Sequence, residues 1–218
     1  TAGDGADIIT TGNGTNTVTA GDGADTITGG SGDDTITGGA GNDTITLSTG
    51  TDTVKIAFGG EGVDTITGFT GGTDIIDFTG SMDSTNATGS AMDVDGFIVK
   101  NVTAAYALVE GMTVIDNSST ADDQDSGDAA MIGSVLTTAE IATYLTDTNG
   151  NATGTDAITV TNKGDIAYIL VGAATSATLA KVTGGTDTVI DATNITIIAH
   201  FTDITDTGTV TDTFADFT

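Results

Sequence analysis

The sequence predicts an all-β chain, with a solenoid of short stacked strands at the front and a β-rich region with one or two short helices behind it. Three observations carry this. Residues 3–56 repeat with a nine-residue period. Each period holds a threonine–aliphatic–threonine alternation, the mark of a short strand with one side chain turned inward. Glycine, at 32 of 218 positions, recurs at fixed places between those alternations, where a turn needs it.

From Gly3 the chain reads GDGADIITT, GNGTNTVTA, GDGADTITG, GSGDDTITG, GAGNDTITL and STGTDTVKI, six gapless units ending at Ile56. Counting the residue before each unit as position one, the pattern is G-G-x-G-x-D-x-U-x, with U a branched aliphatic. Position two is Gly3, Gly12, Gly21, Gly30 and Gly39, and position four is Gly5, Gly14, Gly23, Gly32, Gly41 and Gly50. Position six is Asp7, Asn16, Asp25, Asp34, Asp43 and Asp52, and position eight is Ile9, Val18, Ile27, Ile36, Ile45 and Val54. One unit buries a single aliphatic side chain, which sustains no fold. Stacked units pair their strand edges and align those side chains into one core.

Two units make one coil, so loops eighteen residues apart lie on the same side. One column then holds Asp7, Asp25 and Asp43, and the other Asn16, Asp34 and Asp52. Carboxylates in a column repel, and their glycine-rich loops expose carbonyls. A hard dication with oxygen ligands answers both problems. Magnesium, which demands near-octahedral geometry and keeps its waters, suits such loops less well than calcium. The competing reading is a metal-free solenoid whose aspartates merely solvate its turns.

Composition narrows the rest. Thirty-one acids face four lysines and one histidine, with no arginine, for a formal net charge of −27 and a pI near 4.1. That charge disfavours nucleic acid and anionic membrane as partners. Without cysteine there is no disulfide, thiolate nucleophile or cysteine-bound zinc. No apolar run approaches the length of a membrane span. Thr1–Gly12 lacks the basic and apolar regions of a secretory signal, so none is expected at this start. Disorder is disfavoured by an apolar content of 37% and a mean hydropathy of +0.12.

The repeat resembles the calcium-binding nonapeptide of the RTX (repeats-in-toxin) family. The resemblance implies a right-handed parallel β-roll, or β-helix, with calcium held between successive same-side loops. By that pattern calcium bridges Asp7 with Asp25, Asp25 with Asp43, and Asp34 with Asp52, and the glycines of positions two and four belong to the metal-binding loops. About four to six ions are expected. Asn16 departs from the pattern, and its neutral carbonyl implies a weaker site with Asp34.

After the roll of residues 1–57, residues 58–78 keep the vocabulary but lose the spacing. EGVDTIT carries Asp64 and Ile66, and GGTDIID carries Asp74 and Ile76, both expected to continue the metal-facing slot. The phrase DTITGFTGGTDIIDF is similar to the segment that closes the calcium roll in secreted RTX metalloproteases and RTX-type surface-layer proteins. Irregular terminal repeats are expected where an open stack would expose strand edges.

Residues 79–218 differ in composition and are expected to form a β-rich cap associated with secretion. FIVKNV and MTVIDN read as strands, and TAAYALVEG as a short helix or strand. TTAEIATYL is a helix, with Thr137 and Glu140 forming a capping box. DAITVTNKGDIAYILVGA reads as a hairpin turning at Asn162–Asp165, and LAKVTGGTDTVIDATNITIIAHF as at least one further strand pair. This order resembles the C-terminal region of RTX surface-layer (S-layer) proteins, as does the threonine-rich, arginine-free style. That resemblance implies type I export by an uncleaved C-terminal signal, a description that DTFADFT at 212–218 fits.

Other candidate chemistry is thin. His200 stands alone, so the usual zinc hydrolase arrangements are excluded, and G-x-S-x-G is absent. DVDG at 93–96 and DDQDSGD at 122–128 resemble half an EF-hand but lack its closing glutamate. No catalytic residue and no organic cofactor is expected. The expected function is that of a calcium-binding structural module in a secreted bacterial cell-surface protein, folding on exposure to extracellular calcium and supporting an S-layer. Its expected partners are calcium, further copies in a surface lattice, and the type I apparatus during export. Two alternatives are the export and folding module of a secreted enzyme or toxin, and the terminal module of a calcium-dependent adhesin.

Overall fold

Each repeat delivers one strand, and successive strands fall on alternating sides of a coil. The structure, a computed structural model, describes residues 1–57, 62–71, 73–79, 98–100, 106–108, 111–116, 137–146, 158–160, 166–173, 175–184 and 191–205. They fall into two compact units. The first comprises Thr1–Met82, Ala174–Ser176 and Ile198–Thr218, and the second Asp83–Ala173 and Ala177–Ile197.

In the first unit, β1 (Ile8–Thr10), β3 (Thr26–Thr28), β5 (Thr44–Thr46) and β7 (Asp64–Thr67) follow one another in one sheet. The strands between them, β2 (Thr17–Asp22), β4 (Thr35–Ala40), β6 (Thr53–Ala57) and β8 (Ile75–Thr79), form the other. Every pairing is parallel, and like residues of the repeat meet across it: Ile9, Ile27, Ile45 and Ile66 align, as do Val18, Ile36, Val54 and Ile76. The result is a parallel β-solenoid of about four coils, the architecture of a β-roll.

Ile27, Ile36, Ile45, Val54, Ile66 and Ile76 are buried, each worth roughly 1.5–3 kcal/mol of apolar transfer. A second inward position follows two residues later in each regular unit after the first, occupied by Ala20, Gly29, Gly38, Leu47 and Ile56, and in β2, β4 and β6 it lies within the strand. The irregular units keep this register. Asp43 and Asp64 are 21 residues apart and Asp52 and Asp74 are 22 apart, yet Ile45 still meets Ile66 and Val54 still meets Ile76. The extra residues therefore lie outside the strand ladder, where they cost little.

In the second unit β9 (Ile98–Lys100), β10 (Tyr106–Leu108), β11 (Gly111–Asp116), β12 (Ile158–Val160), β13 (Ile166–Ala173) and β14 (Ser176–Thr183) are also strands. Here the sequence expectation of a hairpin is overturned. β12 pairs with β10 and β13 with β11, both in parallel, so the two supposed arms of the hairpin belong to different sheets. From β9 to β13 the strands behave as the repeats do: each lies in the other sheet from its neighbour in sequence, and β11, β12 and β13 each pair with the strand two before. TAAYALVEG resolves as strand β10. The predicted helix is α1 (Thr138–Thr146), and its capping box forms, with the Thr137 amide donating to Glu140 Oε2 at 2.8 Å and the Glu140 amide to Thr137 Oγ1 at 3.3 Å.

The last strand, β15 (Ile195–Thr202), ends in the first unit, where Ala199–Thr202 pairs in parallel with Asp64–Thr67 of β7. Phe201 thereby meets Phe69 edge-on, with ring centroids 5.7 Å apart, and the hydroxyls of Thr67 and Thr202 lie 2.9 Å apart. His200, on the same strand, has its pKa lowered by burial. The acidic loops at 93–96 and 122–128 and the tail at 212–218 lie outside the described residues.

Candidate metal centre

The position-six residues stand where each turn enters its strand. The backbone amide of each one donates to the side-chain Oδ1 of its counterpart one coil later. Asp7 donates to Asp25 at 2.7 Å, Asp25 to Asp43 at 2.9 Å and Asp43 to Asp64 at 3.0 Å. In the other column Asn16 donates to Asp34 at 2.8 Å, Asp34 to Asp52 at 2.9 Å and Asp52 to Asp74 at 2.9 Å. Both expected columns thus exist, and each is one member longer than the regular repeats alone supply. Asp25, Asp34, Asp43, Asp52 and Asp74 are buried to 1% exposure or less, whereas Asp7 and Asp64 are half-buried.

The glycines stack with the same eighteen-residue step. A Cβ on Gly39 would overlap the Gly21 carbonyl oxygen, and Gly39 also holds φ at +115°, so only glycine fits. The same overlap sets Gly21 on Gly3, Gly30 on Gly12, Gly23 on Gly5, Gly41 on Gly23, Gly32 on Gly14 and Gly50 on Gly32. Two features had escaped the sequence reading. Gly62 extends this stack below Gly41, and its place two residues before Asp64 matches the G-x-D spacing of the regular units. Gly38, at position one, leaves the room that the Asp43 carboxylate fills.

Hydrogen bonding satisfies both oxygens of some carboxylates and only one of others. Oδ2 of Asp34 accepts from the Gly30 amide at 3.2 Å, and Oδ2 of Asp74 from the Thr70 amide at 2.7 Å. Oδ2 of Asp25 and of Asp52 is buried with no hydrogen bond of good geometry, although the Ser48 amide lies close enough to Asp52 to oppose the rise in its pKa. Burial raises the pKa of Asp52; the Asp34 amide opposes this, and the Asp34 carboxylate adds to it. Burial likewise raises Asp74, against the amides of Asp52 and Thr70. Orphaned carboxylate oxygens of this kind are costly unless a counter-charge reaches them.

Among the described residues no three Asp, Glu or His side chains converge on one point. The columns bring carboxylates together only along their length, so any ion must draw most of its ligands from backbone carbonyls. Asn16 shows where such carbonyls converge. Its Nδ2 lies 3.1 Å from Gly12 O, 2.6 Å from Gly14 O and 3.1 Å from Asp34 Oδ1. An aspartate in that slot has no N–H to offer, and the same set of oxygens then suits a hard, oxygen-loving cation. The residues present fit calcium. Asn16 itself turns its side-chain nitrogen to the loop carbonyls of Gly12 and Gly14.

No curated protein and no solved structure matches the chain. A family model does match, over residues 1–27 and 19–54. RTX nonapeptide repeats bind calcium, form a structural fold that is not typically catalytic, and are typical of secreted extracellular bacterial proteins. By that match residues 1–54, where the regular units lie, carry the RTX calcium-binding nonapeptide repeat, which the model describes as four copies.

Proposed function

We propose that this chain is a calcium-dependent folding module of a secreted bacterial surface protein, and that in its parent protein it supports a surface layer. The observation that carries the calcium step is the pair of carboxylate columns, with buried Oδ2 atoms of Asp25 and Asp52 that no donor satisfies. Asp7, Asp25, Asp34, Asp43, Asp52, Asp64 and Asp74 supply charge to the intervals between coils, and the stacked loop glycines supply carbonyls.

Without calcium the columns repel, and the glycine-rich loops lose much entropy on ordering. The chain then stays loose enough to pass an export channel. Outside the cell, calcium at about 10⁻⁴–10⁻³ M, the range of extracellular modules, ties the loops and the coils condense. The surface-layer role is supported by the threonine-rich, arginine-free composition and the closing phrase DTITGFTGGTDIIDF. Calcium shared between neighbouring copies would knit such a layer.

A calcium titration of the whole chain, followed by circular dichroism and light scattering, tests both steps. Strand signal should rise with calcium and fall on chelation to that of a marginally stable, partly folded chain. A metal-free chain already fully folded would sink the folding step, and assemblies that survive chelation would sink the lattice step.

A further inference from the structure

We propose that the Asn16 side-chain amide takes the place of a cation at its station in the second column, closing the Gly12–Gly14 loop without metal. The proposal rests on the calcium reading above and sharpens it. Gly12 O, Gly14 O and Asp34 Oδ1 surround Asn16 Nδ2 at 3.1, 2.6 and 3.1 Å. All three are acceptors and cannot satisfy one another, so the group between them must be positive or carry protons. A primary amide offers two N–H donors. Turned over, it would set its own oxygen against three others, so the surrounding oxygens dictate its orientation.

The first column starts differently. Asp7, in the corresponding slot, has no donor, and its Oδ2 accepts weakly from the Gly3 amide at 3.4 Å. The Asp7–Asp25 interval therefore carries two carboxylates and calls for an ion, while the Asn16–Asp34 interval carries one carboxylate and two N–H groups. An ion entering there would displace the amide from three acceptors and gain half the formal charge of its neighbours. Each column has three intervals along its amide-to-carboxylate ladder. The count is then five calcium stations with one amide station, and the β2 coil is ordered without metal at its own loop.

Isothermal titration of calcium into the whole chain, wild type against Asn16→Asp, tests the count. Asn16→Asp should take up one more ion per chain than wild type, and equal uptake by two calcium-binding proteins would overturn the role of Asn16. Side-chain amide exchange in the folded wild type, measured in calcium buffer whether or not an ion is taken up, gives a second readout that needs no variant. Asn13 is exposed and uses its Oδ1 to accept the Ser31 hydroxyl at 3.0 Å, so it serves as the internal reference. The Asn16 NH₂ should exchange at least about tenfold more slowly than that of Asn13, and equal rates would overturn the proposal whether or not Asn16→Asp folds. If wild type takes up no calcium, the calcium reading itself fails, and the exchange comparison still decides what Asn16 does.

Discussion

Oδ1 of Asp52 accepts the backbone amide of Asp34 at 2.9 Å, while Oδ2 of the same carboxylate is buried without a partner. One side chain thus holds the strand ladder together with one oxygen and burdens it with the other. The repeat needs an acceptor at position six for the amide of the coil before it, and it needs a counter-charge for what that acceptor brings along. Shape and charge are separable requirements here, and substitution can pull them apart.

Asp52→Asn keeps an oxygen for the Asp34 amide and removes the charge. In chelator this variant should match or exceed wild type in thermal stability, while its calcium midpoint rises by roughly tenfold, about 1.4 kcal/mol, for the loss of one ionised ligand. Asp52→Ala removes both functions. It leaves the Asp34 amide unsatisfied at a cost of about 1–3 kcal/mol, with or without calcium. Thermal melts in the two conditions, with a circular dichroism titration, check the contrast. Equal behaviour of the two variants would count against the division of labour.

The glycine stack makes a second prediction by position alone. Gly39→Ala places a Cβ on the Gly21 carbonyl and holds alanine at φ +115°, a backbone cost of roughly 1–3 kcal/mol before the overlap is counted. Gly3→Ala, two glycines up the same column, meets nothing within 4 Å in this chain and has no positive φ. It should stay within about 1 kcal/mol of wild type. Denaturant unfolding in calcium measures both, and a Gly3→Ala as damaging as Gly39→Ala would refute the stacking argument.

What the sequence made legible was the part written as a period. A spacing of nine, read as two strands per coil, sets Ile9 against Ile27 and Val18 against Ile36, and the structure pairs them so. Both aspartate columns followed from the same arithmetic. The atomic use of each carboxylate did not, because a repeat says which residues stack and not which oxygen faces an amide. Asn16 was legible only as a neutral side chain, because composition does not tell which end of it meets Gly12 and Gly14. The supposed hairpin at Asn162–Asp165 failed because a polar turn between two aliphatic runs looks the same whether the next strand folds back or crosses to another sheet. The pairing of β15 with β7 was out of reach, since an aliphatic strand carries no label for a partner so distant in the chain.

Protonation should act in opposite directions with and without metal. Asp52 and Asp74 both have folded-state pKa values raised above the ordinary 3.8. Between 3.8 and those raised values the folded metal-free chain binds more protons than the unfolded one, so its stability falls as pH rises through that window. Acidification from pH 7 into the window should therefore raise the melting temperature of protein freed of metal by chelation and desalting. Calcium needs the ionised carboxylates, so the calcium-loaded protein should instead lose metal and stability over the same window. Melting curves at several pH values, run in parallel, should slope in opposite senses. Parallel slopes would mean that these carboxylates do not hold the ion.

The contact between Phe69 and Phe201 ties β15 to the segment that follows β7, at the worn end of the roll. The rings meet edge-to-face at 5.7 Å and 75°, both fully buried, next to the Thr67–Thr202 hydroxyl contact. An open solenoid end would expose Phe69 and the free edge of β7, and β15 covers both. Truncating either ring to alanine should cost about 3–5 kcal/mol. A double-mutant cycle with Phe69→Leu and Phe201→Leu isolates the ring pair, which should couple by roughly 0.5–1.5 kcal/mol beyond lost area. Because metal binding and folding are linked here, Phe201→Ala should also shift the calcium midpoint upward although the residue brings no carboxylate to the columns. An unchanged midpoint would mean that the roll closes its metal sites without help from β15.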